Sequence, residues 1–186
     1  MLNEQTAEKL ESMRLLGMAK AFREMTASTK GTELSNTEFV GLLADTEKTY
    51  RENQKLQRLL QGAKLKQQSC TEDIDYRNPR GLTKQTIMEL SLGDWINRQQ
   101  NVLISGPTGV GKSFIACAIG NSCCRLGYSV HYVRAPILFT TLYQSMADGS
   151  YLKQLNRLSR INVLIIDDLG ITPMVEHERK DLFGNC

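Results

Sequence analysis

Apolar positions along the first 65 residues recur with a helical period. Leu10, Met13 and Leu16 fall at i, i+3 and i+6, and Met18, Phe22 and Met25 carry the stripe on beyond Gly17. A loop is expected around Lys30 and Gly31. Ser35 and Glu38 have the S-x-x-E spacing of a capping box, which opens a second helix whose apolar positions run from Phe39 through Leu43 and Leu59 to Ala63. Gln67 to Arg80 is polar, is broken by Asn78-Pro79 and Gly81, and reads as a linker. Short helices are expected over Thr83–Leu90 and Gly93–Arg98.

From residue 101 the period changes. Val102–Ser105, Ser129–Val133 and Val163–Ile166 are short apolar runs that predict strands. Between them Lys112–Arg125, Pro136–Met146 and Tyr151–Leu158 carry helical patterns, the first closed by Gly127. Strand, glycine turn, helix, strand, helix, strand is the order of an α/β fold with a parallel sheet. The organisation expected is a helical domain over 1–66, a linker over 67–82 and an α/β domain over 83–186.

Composition narrows the class without changing the fold. The chain has 186 residues, of which 41% are hydrophobic, enough for a packed core. A net charge of +3 is too mild to imply a nucleic-acid partner. No stretch approaches the roughly 18 apolar residues of a membrane span, and the charged start lacks a signal region, so a cytoplasmic protein without membrane contact is expected. Cys70, Cys117, Cys123, Cys124 and Cys186 form no C-x-x-C pair, and His131 and His177 complete no zinc spacing, so reduced thiols are expected. Trp95, Tyr143 and Tyr151 read as packing residues.

The chemistry lies in two motifs. Gly106-Pro107-Thr108-Gly109-Val110-Gly111-Lys112-Ser113 matches G-x-x-x-x-G-K-[ST], between an apolar run and a helical pattern. Triphosphate oxygens need backbone N–H donors converging on one point, and glycine lets the chain curl that closely. The helix N-terminus adds positive potential. Lys112 would place a cation on the β- and γ-phosphates, and Ser113 a hydroxyl on Mg²⁺, so ATP with Mg²⁺ is the expected ligand. Val163-Leu164-Ile165-Ile166-Asp167-Asp168 places two carboxylates at the carboxyl end of a strand, where open α/β sheets bind ligands. Asp167 would hold the metal, and Asp168 would orient or deprotonate an attacking water.

Charge is uneven along the chain. Residues 48–66 carry six basic and one acidic side chain. They are either the solvated face of a helix or a sequence-tolerant contact with DNA phosphates, through Lys55, Arg58, Lys64 and Lys66.

With both motifs in hand, the chain resembles the IstB family, AAA+ ATP-binding helpers of insertion-sequence transposition that are similar to the helicase loader DnaC. The likeness rests on Leu15 to Phe22, on Arg51-Glu52-Asn53, on Asp94-Trp95-Ile96 leading into Asn101 to Pro107, and on Asp167-Asp168-Leu169-Gly170 with Pro173 and Glu178 to Phe183. It covers residues 1 to about 183. It implies a P-loop AAA+ parallel-sheet core behind a small helical domain, ATP-dependent assembly on DNA, a homo-oligomer at full length and a partner transposase. It also implies a further strand, an arginine-finger region and a lid beyond this chain's end, so a C-terminally truncated, hydrolysis-impaired copy is expected. A DnaC-like loader and a non-catalytic ATP- or DNA-binding remnant stay open as alternatives. In the AAA+ strand order the loop-bearing strand sits between two strands this chain does not carry, so Val102–Ser105 is expected to lack a ladder.

Overall fold

The computed structural model describes residues 2–28, 34–77 and 81–170. The expected loop at Lys30 and Gly31, the break at Asn78-Pro79, and Pro173, His177, Glu178 to Phe183 and Cys186 lie outside the described residues. The chain divides into two compact units, Met1–Arg58 and Leu59–Cys186.

The first unit holds α1 (Leu2–Ser12), α2 (Leu16–Ala27) and most of α3 (Asn36–Ala63). Arg14, in the left-handed region at φ 60°, closes α1. Arg23 ties α2 to α1 by reaching Glu4 at 2.8 Å and Glu11 at 2.5 Å. The expected capping box opens α3: Glu38 accepts from the Ser35 N–H at 2.9 Å, and Ser35 Oγ accepts from the Glu38 N–H at 3.3 Å. At Gly17 α2 lies close against α3. A Cβ there would stand 2.7 Å from Tyr50 Cβ and 2.9 Å from Glu47 Cα, so any larger residue must push backbone aside. At this crossing Glu47, buried at 6% exposure, accepts from the Met18 N–H at 3.0 Å and from Arg51 Nε at 2.7 Å. Phe22 of α2 and Phe39 of α3 pack edge to face.

The second unit is built on α6 (Lys112–Arg125), β1 (Val130–Arg134), α7 (Ala135–Ala147), α8 (Tyr151–Leu158) and β2 (Val163–Asp167), preceded by α4 (Lys84–Ser91) and α5 (Asp94–Asn97). β1 and β2 pair in parallel, with Val130 opposite Val163 and Arg134 opposite Asp167. Parallel neighbours need a crossover, and α7 and α8 supply it. Side chains alternate along β1, so Val130 and Tyr132 share the face that meets α6. Helix and sheet touch at Gly120, where a Cβ would stand 2.7 Å from Ile165 Cδ1 and 3.4 Å from Val130 Cγ1. Ile115, Cys117, Ile119, Cys123 and Cys124 form the buried side of α6. Cys70, Cys117, Cys123 and Cys124 are free thiols, and burial pushes the Cys123 thiol up to about 12 and Cys124 to about 11.

The expected strand Val102–Ser105 does not form. Among the described residues the sheet has two strands, β1 and β2. A strand exists only through a neighbour's ladder, and the segment has none among the described residues, where Leu103 is 86% exposed. The result is a largely helical unit around an incomplete α/β core. In the stretch expected as a linker, Ser69 is buried and donates to the Phe114 carbonyl at 3.1 Å, and Arg125 bonds Glu72 at 3.1 Å, while most of the other described residues are exposed. Trp95 donates to the Leu90 carbonyl at 2.8 Å, as a packing anchor would, whereas Tyr143 is exposed. No helix of the described residues is long and apolar enough to cross a membrane.

Candidate functional site

The loop 106–113 ends at the first turn of α6. Gly106, Gly109 and Gly111 all have positive φ, at 151°, 85° and 91°, a path closed to most L side chains. A Cβ on Gly109 would meet nothing within 4 Å, so that glycine serves the chain path rather than packing. Pro107 and Thr108 sit at the exposed crest, and Val110 turns inward. Gly111 is the N-cap residue of α6, which places Lys112 and Ser113 in the first turn. Lys112 Nζ donates to the carbonyls of Gly106 and Pro107, both at 2.8 Å, which folds the ammonium over the loop.

β2 brings its last residue, Asp167, to the same place. Ser113 Oγ donates to Asp167 Oδ2 at 2.7 Å across 54 residues of sequence. Asp167 Oδ2 also accepts from the Tyr132 hydroxyl, Oδ1 accepts from the Asp168 N–H at 3.0 Å, and Lys66 Nζ stands 3.7 Å away. Burial would raise the Asp167 carboxyl, but the Tyr132, Ser113 and Asp168 donors and the Lys66 charge together hold it below its ordinary range. Burial, and then the hydrogen bond to Asp167, push the Tyr132 phenol up, so it stays a protonated donor. Asp168 has left-handed backbone at φ 59°, uncommon without glycine, and its Oδ2 accepts from Arg134 Nε at 2.6 Å.

The structure therefore brings Ser113 together with Asp167, while Lys112 folds back on the loop carbonyls and the Asp168 carboxylate turns to Arg134. A hydroxyl and a carboxylate are hard oxygen donors of the kind Mg²⁺ accepts alongside phosphate oxygens and water, and in that respect the residues fit the ion. Among the described residues no three His, Cys, Asp or Glu side chains gather to hold a metal by themselves. Beside the loop lies a cleft of about 850 Å³, lined by Ile87, Leu90, Trp95, Leu103, Val110 and Lys112.

Of the basic residues, Lys55 and Arg58 are exposed on α3. Lys64 ends that helix in left-handed backbone at φ 50°. Lys66 is the ammonium beside Asp167. Tyr132, Arg134 and Lys66 were not visible in sequence as neighbours of the site. The signal that could have found the first two is the parallel register, since residues two apart on β1 share the face of β2 that carries Asp167.

Comparison with known proteins gives a family. Residues 8–185 match the family of IstB-like ATP binding proteins. The chain is 44% identical over 98% of its length to the insertion sequence ATP-binding protein y4pL of Sinorhizobium fredii, covering 74% of that relative. It is 43% identical to the ATP-binding protein of insertion sequence IS1162 from Pseudomonas fluorescens, over 98% of this chain and 79% of the relative. A second Sinorhizobium fredii protein, y4uH, is 40% identical over 94% of this chain and 70% of its own length.

Proposed function

From the premise that the chain belongs to the family of IstB-like ATP-binding proteins, we propose that it binds Mg·ATP at residues 106–113 and serves as an ATP-dependent helper of transposition on DNA. The observation that carries the nucleotide site is the meeting of the glycine loop, Lys112, Ser113 and Asp167 at one end of the α6–β2 pair. Backbone N–H groups of the loop and the α6 N-terminus receive phosphate oxygens. Lys112 exchanges its loop carbonyls for the β- and γ-phosphates, and Ser113 and Asp167 hold Mg²⁺, whose charge offsets that of the phosphates. Asp168, held by Arg134, orients the water. The apolar cleft beside Val110 suits the nucleotide's base.

The names of the relatives favour a transposition helper over a helicase loader. Contact with DNA, stimulation of a transposase, homo-oligomerisation and a cytoplasmic setting complete the reading. We also infer weak hydrolysis by the 186-residue polypeptide, because the segment leading into the loop has no ladder among the described residues to hold Lys112 against Asp167. Turnover below about 1 s⁻¹ is expected, under the usual enzyme range.

Calorimetry with Mg·ATP tests the central claim. Charged hydrogen bonds of the Lys112 kind contribute about 1.5–3 kcal/mol. Lys112→Ala should therefore weaken binding about ten- to a hundredfold. Equal affinities would remove the loop from the reading. A strand-transfer assay with the partner transposase tests the rest, and stimulation that survives Lys112→Ala would separate the helper role from ATP.

A further inference from the structure

A serine hydroxyl has one proton and two lone pairs. Ser113 can offer its lone pairs to a cation only while its proton is held elsewhere, and the structure gives that proton to Asp167 Oδ2 at 2.7 Å. The arrangement works only if Oδ2 stays in place. The terminal torsion of an aspartate is broad, so the carboxylate needs outside contacts to fix it. The Asp168 N–H on Oδ1 is one, but it belongs to the adjacent peptide and moves with the same chain. A second, from outside the strand, is the Tyr132 hydroxyl on Oδ2, which comes from β1; the Lys66 ammonium at 3.7 Å is a looser third. Its ring is 8% exposed, on the β1 face that meets α6. Tyr132 lies opposite Ile165, two residues before Asp167 on the same face, so the parallel register itself delivers the phenol to the carboxylate.

We propose that Tyr132 is a positioning residue of the metal site: its hydroxyl clamps the Asp167 carboxylate, which in turn keeps the Ser113 lone pairs turned toward the bound cation. This deepens, and rests on, the reading of Ser113 and Asp167 as holders of Mg²⁺. Partners of this outer kind fix ligand orientation, and their loss typically costs about 10–100-fold in metal affinity.

Tyr132→Phe keeps the ring and removes only the hydroxyl. The experiment is ATP binding by calorimetry on the 186-residue protein, first in EDTA and then across a Mg²⁺ titration, with the melting temperature of the ligand-free protein as the check on folding. Affinity in EDTA should stay within about twofold of wild type. The Mg²⁺ concentration that half-restores tight binding should rise about 10–100-fold, and excess Mg²⁺ should rescue it. In a double-mutant cycle, Tyr132→Phe added to Asp167→Ala should change the Mg²⁺ dependence no further. An unchanged Mg²⁺ requirement in Tyr132→Phe overturns the proposal and leaves the Mg·ATP reading intact. An equal loss with and without Mg²⁺ also overturns it, since that is what a packing role would give. Failure of the wild type to bind ATP at all removes both.

Discussion

Two carboxylates, buried Glu47 in the first unit and half-buried Asp167 in the second, sit at the start of a helix and behave differently. Glu47 receives backbone N–H groups of Gly17 and Met18 at the head of α2, with Arg51 behind it. Asp167 receives hydroxyls from Ser113 and Tyr132 at the head of α6, with Lys66 nearby. In both, burial would raise the carboxyl and the donors bring it below its ordinary range. The donors make the difference. Backbone N–H groups have no other task, so Glu47 is fixed in one role as an acceptor for a helix end. Hydroxyls and an ammonium can trade their partner for a metal or a phosphate, so Asp167 is satisfied yet open to exchange. Burial and a lowered pKa are common to both carboxylates; what distinguishes them is the identity of their donors.

The comparison is sharpest where one carboxylate is removed at a time. Glu47→Ala leaves the Gly17 and Met18 N–H groups without their acceptor, at about 1–3 kcal/mol each. It should therefore lower stability in urea unfolding markedly and leave Mg·ATP affinity nearly unchanged. Asp167→Ala should do the reverse, with a small stability change and loss of Mg²⁺-dependent nucleotide binding. If the two variants unfold alike, the contrast fails.

Next come the glycines that permit the two close approaches. Gly17→Ala presses on the backbone of Glu47, and overpacking of that kind costs about 1–3 kcal/mol. Gly120→Ala meets the tips of Ile165 and Leu65, which can turn aside, so about 1 kcal/mol is expected from the same measurement.

A smaller effect is the acid response. The Glu47 carboxyl has a lower pKa folded than unfolded, so its contribution is complete above the unfolded value of about 4.3 and is lost as pH falls through the folded value. The stability gap between wild type and Glu47→Gln should accordingly narrow below about pH 4. The smallest expected change in stability is from Lys55→Glu, Arg58→Glu and Lys64→Glu together, within about 0.5 kcal/mol per exposed site. If the segment contacts DNA phosphates, the same triple variant should flatten the salt dependence of binding equally on unrelated duplexes.

The helices were legible because their evidence is local. Lys112–Arg125 and Tyr151–Leu158 begin and end where the pattern places them, and the Ser35–Glu38 box forms as spaced. The loop and its following Ser113 were legible for the same reason. What sequence could not supply was pairing. Val102–Ser105 has the composition of a strand but no neighbour to bond among the described residues. Tyr132 reads as an ordinary core aromatic until the register sets it beside Asp167. Lys66 reads as one of six cations in a basic run, and only the fold of the second unit separates it from Lys55 and Arg58. Glu47 looks like half of a surface i, i+4 pair with Arg51, because nothing local announces that α2 will arrive on top of it.

The β1–β2 ladder carries a consequence in time as well as in space. Its two strands are separated by residues 135–162, which carry α7 and α8 and must be made before any rung can close. A hairpin can zip from its turn, but a parallel pair has no such starting point, and the loop-closure cost falls due before the first contact is made. During synthesis, then, β1 emerges with an open edge and waits for about thirty more residues to leave the ribosome, one to several seconds at ordinary elongation rates. Over that interval α6, already made, can shield the Val130–Tyr132 face on which it packs. The helix that later presents Ser113 to Asp167 is thus also the strand's first cover, and changes to its apolar side should reduce the yield of folded chain before they touch any ligand.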